Sequence, residues 1–199
     1  LYGPEIAERA VDSIIDLIFK YKSRIKSTEY QLSEKDVILI TYGDQVQKDY
    51  EPSLQTLKGF MDSHLKGIIN SIHILPFYPY SSDDGFSVVN YGAVDPKMGS
   101  WREIEQISAD YRLMVDGVIN HISQFSDWFK AYLAGDPYFQ DFFIDVDPSI
   151  DLSKVVRPRA LPLLSEFTDD NGKIRNVWTT FSKDQVDLNY KSHRVLRNV

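Results

Sequence analysis

Apolar residues in the first 26 positions recur at Ile6, Val11, Ile14, Leu17, Ile18, Tyr21 and Ile25 with charges between them. That is the spacing of one face of a helix. Pro4 suits its first turn, where a missing N–H costs nothing. The period then changes. VILITY (37–42) is a β-branched run closed by GDQ and predicts a buried strand. EPSLQTLKGFMDSHL returns to helical spacing through Leu54, Leu57, Phe60, Met61 and Leu65. GIINSIHILPF predicts a second strand closed by Pro76 and Pro79. GSWREIEQISADY predicts a helix with Ser100 as N-cap and Glu103 three residues on, and RLMVDGVIN a third strand.

Strands alternating with helices at this spacing define an α/β chain of βαβ units with a parallel sheet, and both an open doubly wound sheet and a closed barrel satisfy the pattern. In either architecture ligands gather at the carboxyl ends of the strands, which here carry TYGDQ, FYPYSSDDGF and NHIS. From Gln124 onward the texture turns to aromatics, prolines and short segments without clean helical or alternating periodicity. This reads as an irregular lobe inserted after the third strand, with short β pieces around 142–146 and 174–181.

Composition narrows the function. With 43% hydrophobic and 26% charged residues, 199 residues suffice for a globular core. The net charge of -7, from 22 basic and 29 acidic residues in no long block, argues against nucleic acid or an anionic membrane as partner. Small or neutral ligands fit better. Cysteine is absent, which excludes disulfides, thiolate metal sites and cysteine nucleophiles. The amphipathic start is neither a signal sequence nor a membrane span, although the chain opens on Leu1 and a cleaved signal upstream stays open.

Three stretches could carry chemistry. In LMVDGVINHIS (113–123), a continuous strand would set Asp116 and Asn120 on one side of a buried run, either as a structural hydrogen-bond network or beside a ligand, with His121 at the tip the better candidate for ligand contact. In YPYSSDDGFSVVNYGAVDPKMGSW, a connection far longer than usual, the tyrosines, Phe86, Asp83 and Asp84 suit sugar binding, through aromatic faces on the ring and carboxylates on hydroxyls. An Asx turn with solvated acids is the alternative. In KVVRPRALPLL, Arg157 and Arg159 flank Pro158 and present guanidinium groups either to an anion such as phosphate or to local acids.

VILITYGD, IHILPFYPYSSDDGF, GSW, MVDGVINH, VVRPRALPLL and VWTTFSKDQVDLNY, in that order from about Asp36 to Asn189, resemble the sucrose phosphorylase branch of glycoside hydrolase family 13, the α-amylase superfamily. The form YPYSSDDGFSVVNY is more similar to the relatives that act on glucosylglycerate or glucosylglycerol. The resemblance implies the N-terminal part of a (β/α)8 TIM barrel, about three βα units, with domain B inserted after the third strand. Residues 1–35 would be a helical extension, 36–123 the first part of the barrel, 124–189 domain B, and 190–199 the start of the return to the barrel. His121 would hydrogen-bond the glucosyl primary hydroxyl, Asp116 and Asn120 would support the centre, and Asp83 would bind glucose hydroxyls. Phe86 and Phe181 would be apolar walls, Gln185 would close the pocket, and Arg157 and Arg159 would meet phosphate or the acceptor.

One departure outweighs these agreements. The family nucleophile, an Asp in a G-x-R-x-D-A type motif, and its acid/base Glu are absent, so no catalytic residue is expected within the chain, which is expected to be the N-terminal part of a longer enzyme. That enzyme would be a retaining glucoside phosphorylase, with a hydrolase or transglucosidase of the same superfamily and a non-catalytic carbohydrate-binding relative as alternatives. No cofactor or metal is expected, with phosphate as co-substrate, a cytoplasmic location, and self-association of the isolated chain through exposed strands.

Overall fold

The computed structural model describes residues 3–23, 31–156 and 160–199. In chain order the elements are α1 (Pro4–Lys22), β1 (Ile38–Thr41), α2 (Ser53–His64), β2 (Ser71–Ile74), a 3-10 turn at Asp83–Gly85, α3 (Trp101–Asp110), β3 (Arg112–Val115), β4 (His121–Ser123), α4 (Asp127–Leu133), β5 (Leu164–Thr168), β6 (Ile174–Trp178), β7 (Gln185–Asp187) and α5 (His193–Asn198). They form two compact units. One comprises Leu32–Asp127 with Lys183–Gln185, and the other Leu1–Gln31, Trp128–Ser182 and Val186–Val199.

In the first unit β1, β2 and β3 make a parallel sheet in sequence order. Thr41 pairs with Ile74 and Ile74 with Val115, so all three strands end level. The loops that follow therefore start from one line. One face of the sheet is covered by α2 and α3, and their apolar stripes form a core of Leu54, Leu57, Met61, Ile72, Ile74, Ile104 and Ile107. Burial of such side chains, about 1.5–3 kcal/mol each, is the main stabilising contribution here. The other face carries Ile38, Ile40 and Met114, which are exposed, Ile40 at 64%. Ser100 and Glu103 close a capping box on α3, with the Ser100 N–H donating to Glu103 Oε2 at 2.7 Å. Lys58 on α2 ties the two helices together by donating to Asp62 at 2.7 Å and to Asp110 at 2.6 Å.

The third strand is shorter than its apolar run predicts. β3 ends at Val115, Asp116 is half-buried and Asn120 is exposed, so the expectation of a buried strand through Asn120 is corrected. Two residues past the end of the neighbouring strand, Pro76 offers no N–H to extend the ladder beyond Ile74.

The second unit is more regular than its sequence texture implies. α4 occupies 127–133, and β5 pairs antiparallel with β6 from Leu164–Trp178 to Thr168–Ile174. The β piece expected near 142–146 is reduced to isolated bridges, Phe143 with Leu188 and Asp145 with Val177. The core of this unit is aromatic, with Phe129 packed against Phe167 at 4.7 Å and Phe143 at 4.9 Å between ring centroids. Helix α1 forms as its spacing predicts, with Pro4 in the first turn and no buried residue among those described.

Candidate functional site

The connection from β2 to α3 is built around a backbone that few residues tolerate. Asp83, Asp84 and Gly85 all have positive φ, at 57°, 50° and 100°. A Cβ on Gly85 would lie 2.6 Å from the Pro76 carbonyl oxygen, so only glycine fits. Non-glycine residues pay for left-handed backbone, and such strain collects at binding sites. The loop is closed upon itself by the Val89 N–H donating to Pro79 O at 2.7 Å and the Ser81 N–H to Ser87 O at 3.0 Å.

The strained turn presents the Asp83 carboxylate to the segment Lys183–Gln185, which returns to this unit from far along the chain. There the Gln185 amide donates to Asp83 Oδ2 at 2.8 Å. Three residues on from Asp83, the Phe86 carbonyl lies 2.9 Å from His121 Nε2. A carbonyl only accepts, so Nε2 carries the proton. His121 is 6% exposed, and its own carbonyl accepts from the Tyr91 hydroxyl at 2.6 Å. The Phe86 N–H in turn donates to Asp83 O at 3.0 Å, so Asp83, Phe86, His121 and Gln185 are joined by three hydrogen bonds although they span 103 positions of sequence, counting Asp83 through Gln185.

The other candidates are placed differently. Asp116 lies 3.0 Å from His73 Nε2, at the end of the exposed sheet face, and burial together with the Asp116 charge raises the Tyr78 hydroxyl above its ordinary value. Phe181 belongs to the second unit and is half-buried there. Arg157 and Arg159 lie outside the described residues. Asp84, beside Asp83, helps line a cavity of about 250 Å³ with Tyr42, Asp44, Tyr80 and Met98. Among the described residues no group of three or more His, Asp or Glu side chains is arranged to hold a metal ion.

Sequence reasoning missed Asp184. Its carboxylate accepts from Ser81 at 2.6 Å, from Ser87 at 2.8 Å, from Ser123 at 3.1 Å and from Ser82. Burial pushes the carboxyl up, but the hydroxyls of Ser81, Ser82, Ser87 and Ser123 outweigh it and hold Asp184 below the usual carboxylate value. The only sequence signal was the density of serine in YSSDDGFS, beside an acid in KDQVD.

A level parallel sheet with α2 and α3 on one face, and polar groups gathered beyond its carboxyl end, is the start of a (β/α)8 barrel. The family described as alpha amylase, catalytic domain, matches residues 53–199, and the chain belongs to it. Among curated relatives, the glucosylglycerate phosphorylase of Spirochaeta thermophila is 48% identical over 203 residues, covering 98% of this chain and 34% of that protein. The glucosylglycerate phosphorylase of Allomeiothermus silvanus is 55% identical over 167 residues, covering 84% of this chain and 30% of that protein. The solved structure of sucrose 6F-phosphate phosphorylase from Thermoanaerobacter thermosaccharolyticum superposes with a TM-score of 0.76 at 30% identity, covering 86% of this chain and 37% of that one. The chain therefore spans about a third of the length of the relatives it matches.

Proposed function

We propose that these residues form the glucosyl-binding share of a retaining α-glucoside phosphorylase that transfers glucose from a small glucoside of the glucosylglycerate, glucosylglycerol or sucrose type to phosphate. The observation that carries this is the joining of Asp83, Phe86, His121 and Gln185 at the carboxyl end of the sheet. In this reading residues 36–123 begin the barrel and 124–189 form domain B.

Asp83 accepts hydrogen bonds from glucose hydroxyls, its orientation held by Gln185. His121, fixed by Phe86 O, lies against the primary hydroxyl, while the Phe86 ring walls the sugar. Asp116 supports the centre from the end of β3 and Asn120 from the residue before β4. Arg157 and Arg159 meet phosphate or the acceptor's anionic end, because a guanidinium fork matches an oxyanion.

The chemistry itself needs two carboxyls about 5–5.5 Å apart, one attacking the anomeric carbon while the other protonates the leaving oxygen. Phosphate then displaces the enzyme carboxylate and gives α-glucose 1-phosphate. We assign both carboxyls to the part of the family domain that these 199 residues do not span. No metal or organic cofactor takes part, and reliance on cellular phosphate places the reaction in the cytoplasm. Among the described residues no helix is long and apolar enough to cross a membrane.

The test is to incubate the full-length gene product with glucosylglycerate, glucosylglycerol and sucrose, with and without phosphate. Phosphate-dependent release of glucose 1-phosphate is the expected result. Free glucose or a transferred glucoside without phosphate dependence would instead assign a hydrolase or transglucosidase.

A further inference from the structure

We infer that Asp184 is a positioning residue, the anchor that holds Gln185 and the Asp83 turn in register so that Asp83 meets glucose hydroxyls in one geometry. The inference rests on the glucose-binding role proposed for Asp83 and assigns a second residue to that site.

The carboxylate of Asp184 accepts from four serine hydroxyls, and these come from two separate segments. Ser81, Ser82 and Ser87 bracket the strained turn on both sides, and Ser123 ends β4, which begins with His121. The main chain of Asp184 makes two further ties, its carbonyl accepting from Ser87 Oγ at 3.2 Å and from the Gln124 N–H at 2.9 Å. Asp184 thus bonds to both segments that carry the site, and the residue after it donates to Asp83.

Four hydroxyls within hydrogen-bond reach of one carboxylate make the charge indispensable. A hydroxyl has one proton to give, so Ser87 shares its own between the Asp184 carboxylate and carbonyl, and Ser81 and Ser123, 2.6 Å apart, share theirs between each other and the carboxylate; only an anionic carboxylate, which brings no proton of its own, accommodates them without turning a donor onto a donor. Asn in its place keeps the shape but brings an NH2 group against serine hydroxyls. The turn cannot hold itself, because Asp83 and Asp84 pay for positive φ and relax when released. The expected consequence of losing the anchor is an Asp83 carboxylate still present but misplaced, and small misplacements cost affinity steeply.

A double-mutant cycle on D-glucose binding, measured by titration calorimetry with the full-length gene product, separates positioning from general stability. Asp184→Asn should weaken glucose binding on the order of tenfold, as expected for a disrupted charge-assisted network. In the Asp83→Ala background the same change should cost almost nothing, because there is no longer a carboxylate to aim. Ser82→Ala, which keeps the anchor and removes one donor, should move binding in the same direction by a smaller factor, and it serves if Asp184→Asn does not fold. An equal loss in both backgrounds, or no loss in either variant, overturns the inference. Wild-type protein that binds glucose but releases no glucose 1-phosphate overturns phosphorolysis and leaves the cycle readable. Wild-type protein that binds no glucose overturns both.

Discussion

His121 is buried at 6% exposure with one nitrogen donating to a main-chain carbonyl, so its ring is fixed before any ligand arrives. Such preorganisation is what a group needs if it is to favour the transition state over the ground state. In the full-length enzyme His121→Ala should lower kcat/KM by on the order of 10²-fold, mostly through kcat, as misplacement of a reacting sugar does. Steady-state phosphorolysis checks this, and an unchanged kcat and KM would remove His121 from the site. Asp184 gives a second expectation. Its carboxyl lies lower in the folded chain than in the unfolded one, so it contributes stability above the unfolded-state value of about 3.9, lost as pH falls through the folded value. The stability difference between wild type and Asp184→Asn, from urea unfolding at stepped pH, should therefore be full at pH 6 and shrink below about pH 4. A difference that is flat or grows towards acid would contradict the sign.

At the scale of elements, the periodic segments were legible and the special ones were not. α2, α3, β1 and β2 follow from spacing and caps, and the Ser100–Glu103 capping box reads directly off GSWRE. β3 was overextended because its own residues favour a strand to Asn120, whereas the limit is set by Pro76, two residues past the strand beside it. α4 was hidden because DWFKAYL is two turns long, too short to establish a period, although Asp127 and Lys130 face outward and Phe129 and Tyr132 are buried in an aromatic cluster. The candidate site was half-visible. Asp83 and His121 stood out by chemistry and by family resemblance, but nothing in the sequence joins four ordinary serines to Asp184. Two substitutions test the elements. Gly85→Ala should destabilise by on the order of 2 kcal/mol, through the clash with Pro76 O and the positive φ, and should loosen the Asp83 turn. Ser100→Ala should cost about 1 kcal/mol by opening the capping box, with glucose binding unchanged. Urea unfolding monitored by circular dichroism reads both.

For the molecule as a whole, the sheet face bearing Ile38, Ile40 and Met114 has no covering layer among the described residues, and β1 and β3 are both edges. Apolar faces and unpaired edges of this kind associate. The isolated 199-residue chain is expected to sediment as a concentration-dependent mixture and to release no glucose 1-phosphate above background from any of the three glucosides. Turnover comparable to that of the full-length protein would place the reacting carboxylates within these residues and overturn the assignment of roles made above.

The bond from Ser81 to Asp184 joins residues 103 apart, whereas β1, β2 and β3 pair at separations of 33 and 41 positions, Ile38 with Ser71 and Ser71 with Arg112. Time during synthesis is set by the same separations. At ordinary translation rates the serine-rich loop leaves the ribosome roughly 5–20 s before the carboxylate that will gather it. Through that interval the sheet has its neighbours and the Asp83 turn does not. The site in this sense matures later than the sheet it stands on, and a nascent chain halted before Lys183 should carry a formed sheet whose Asp83 turn still exchanges its amide protons freely.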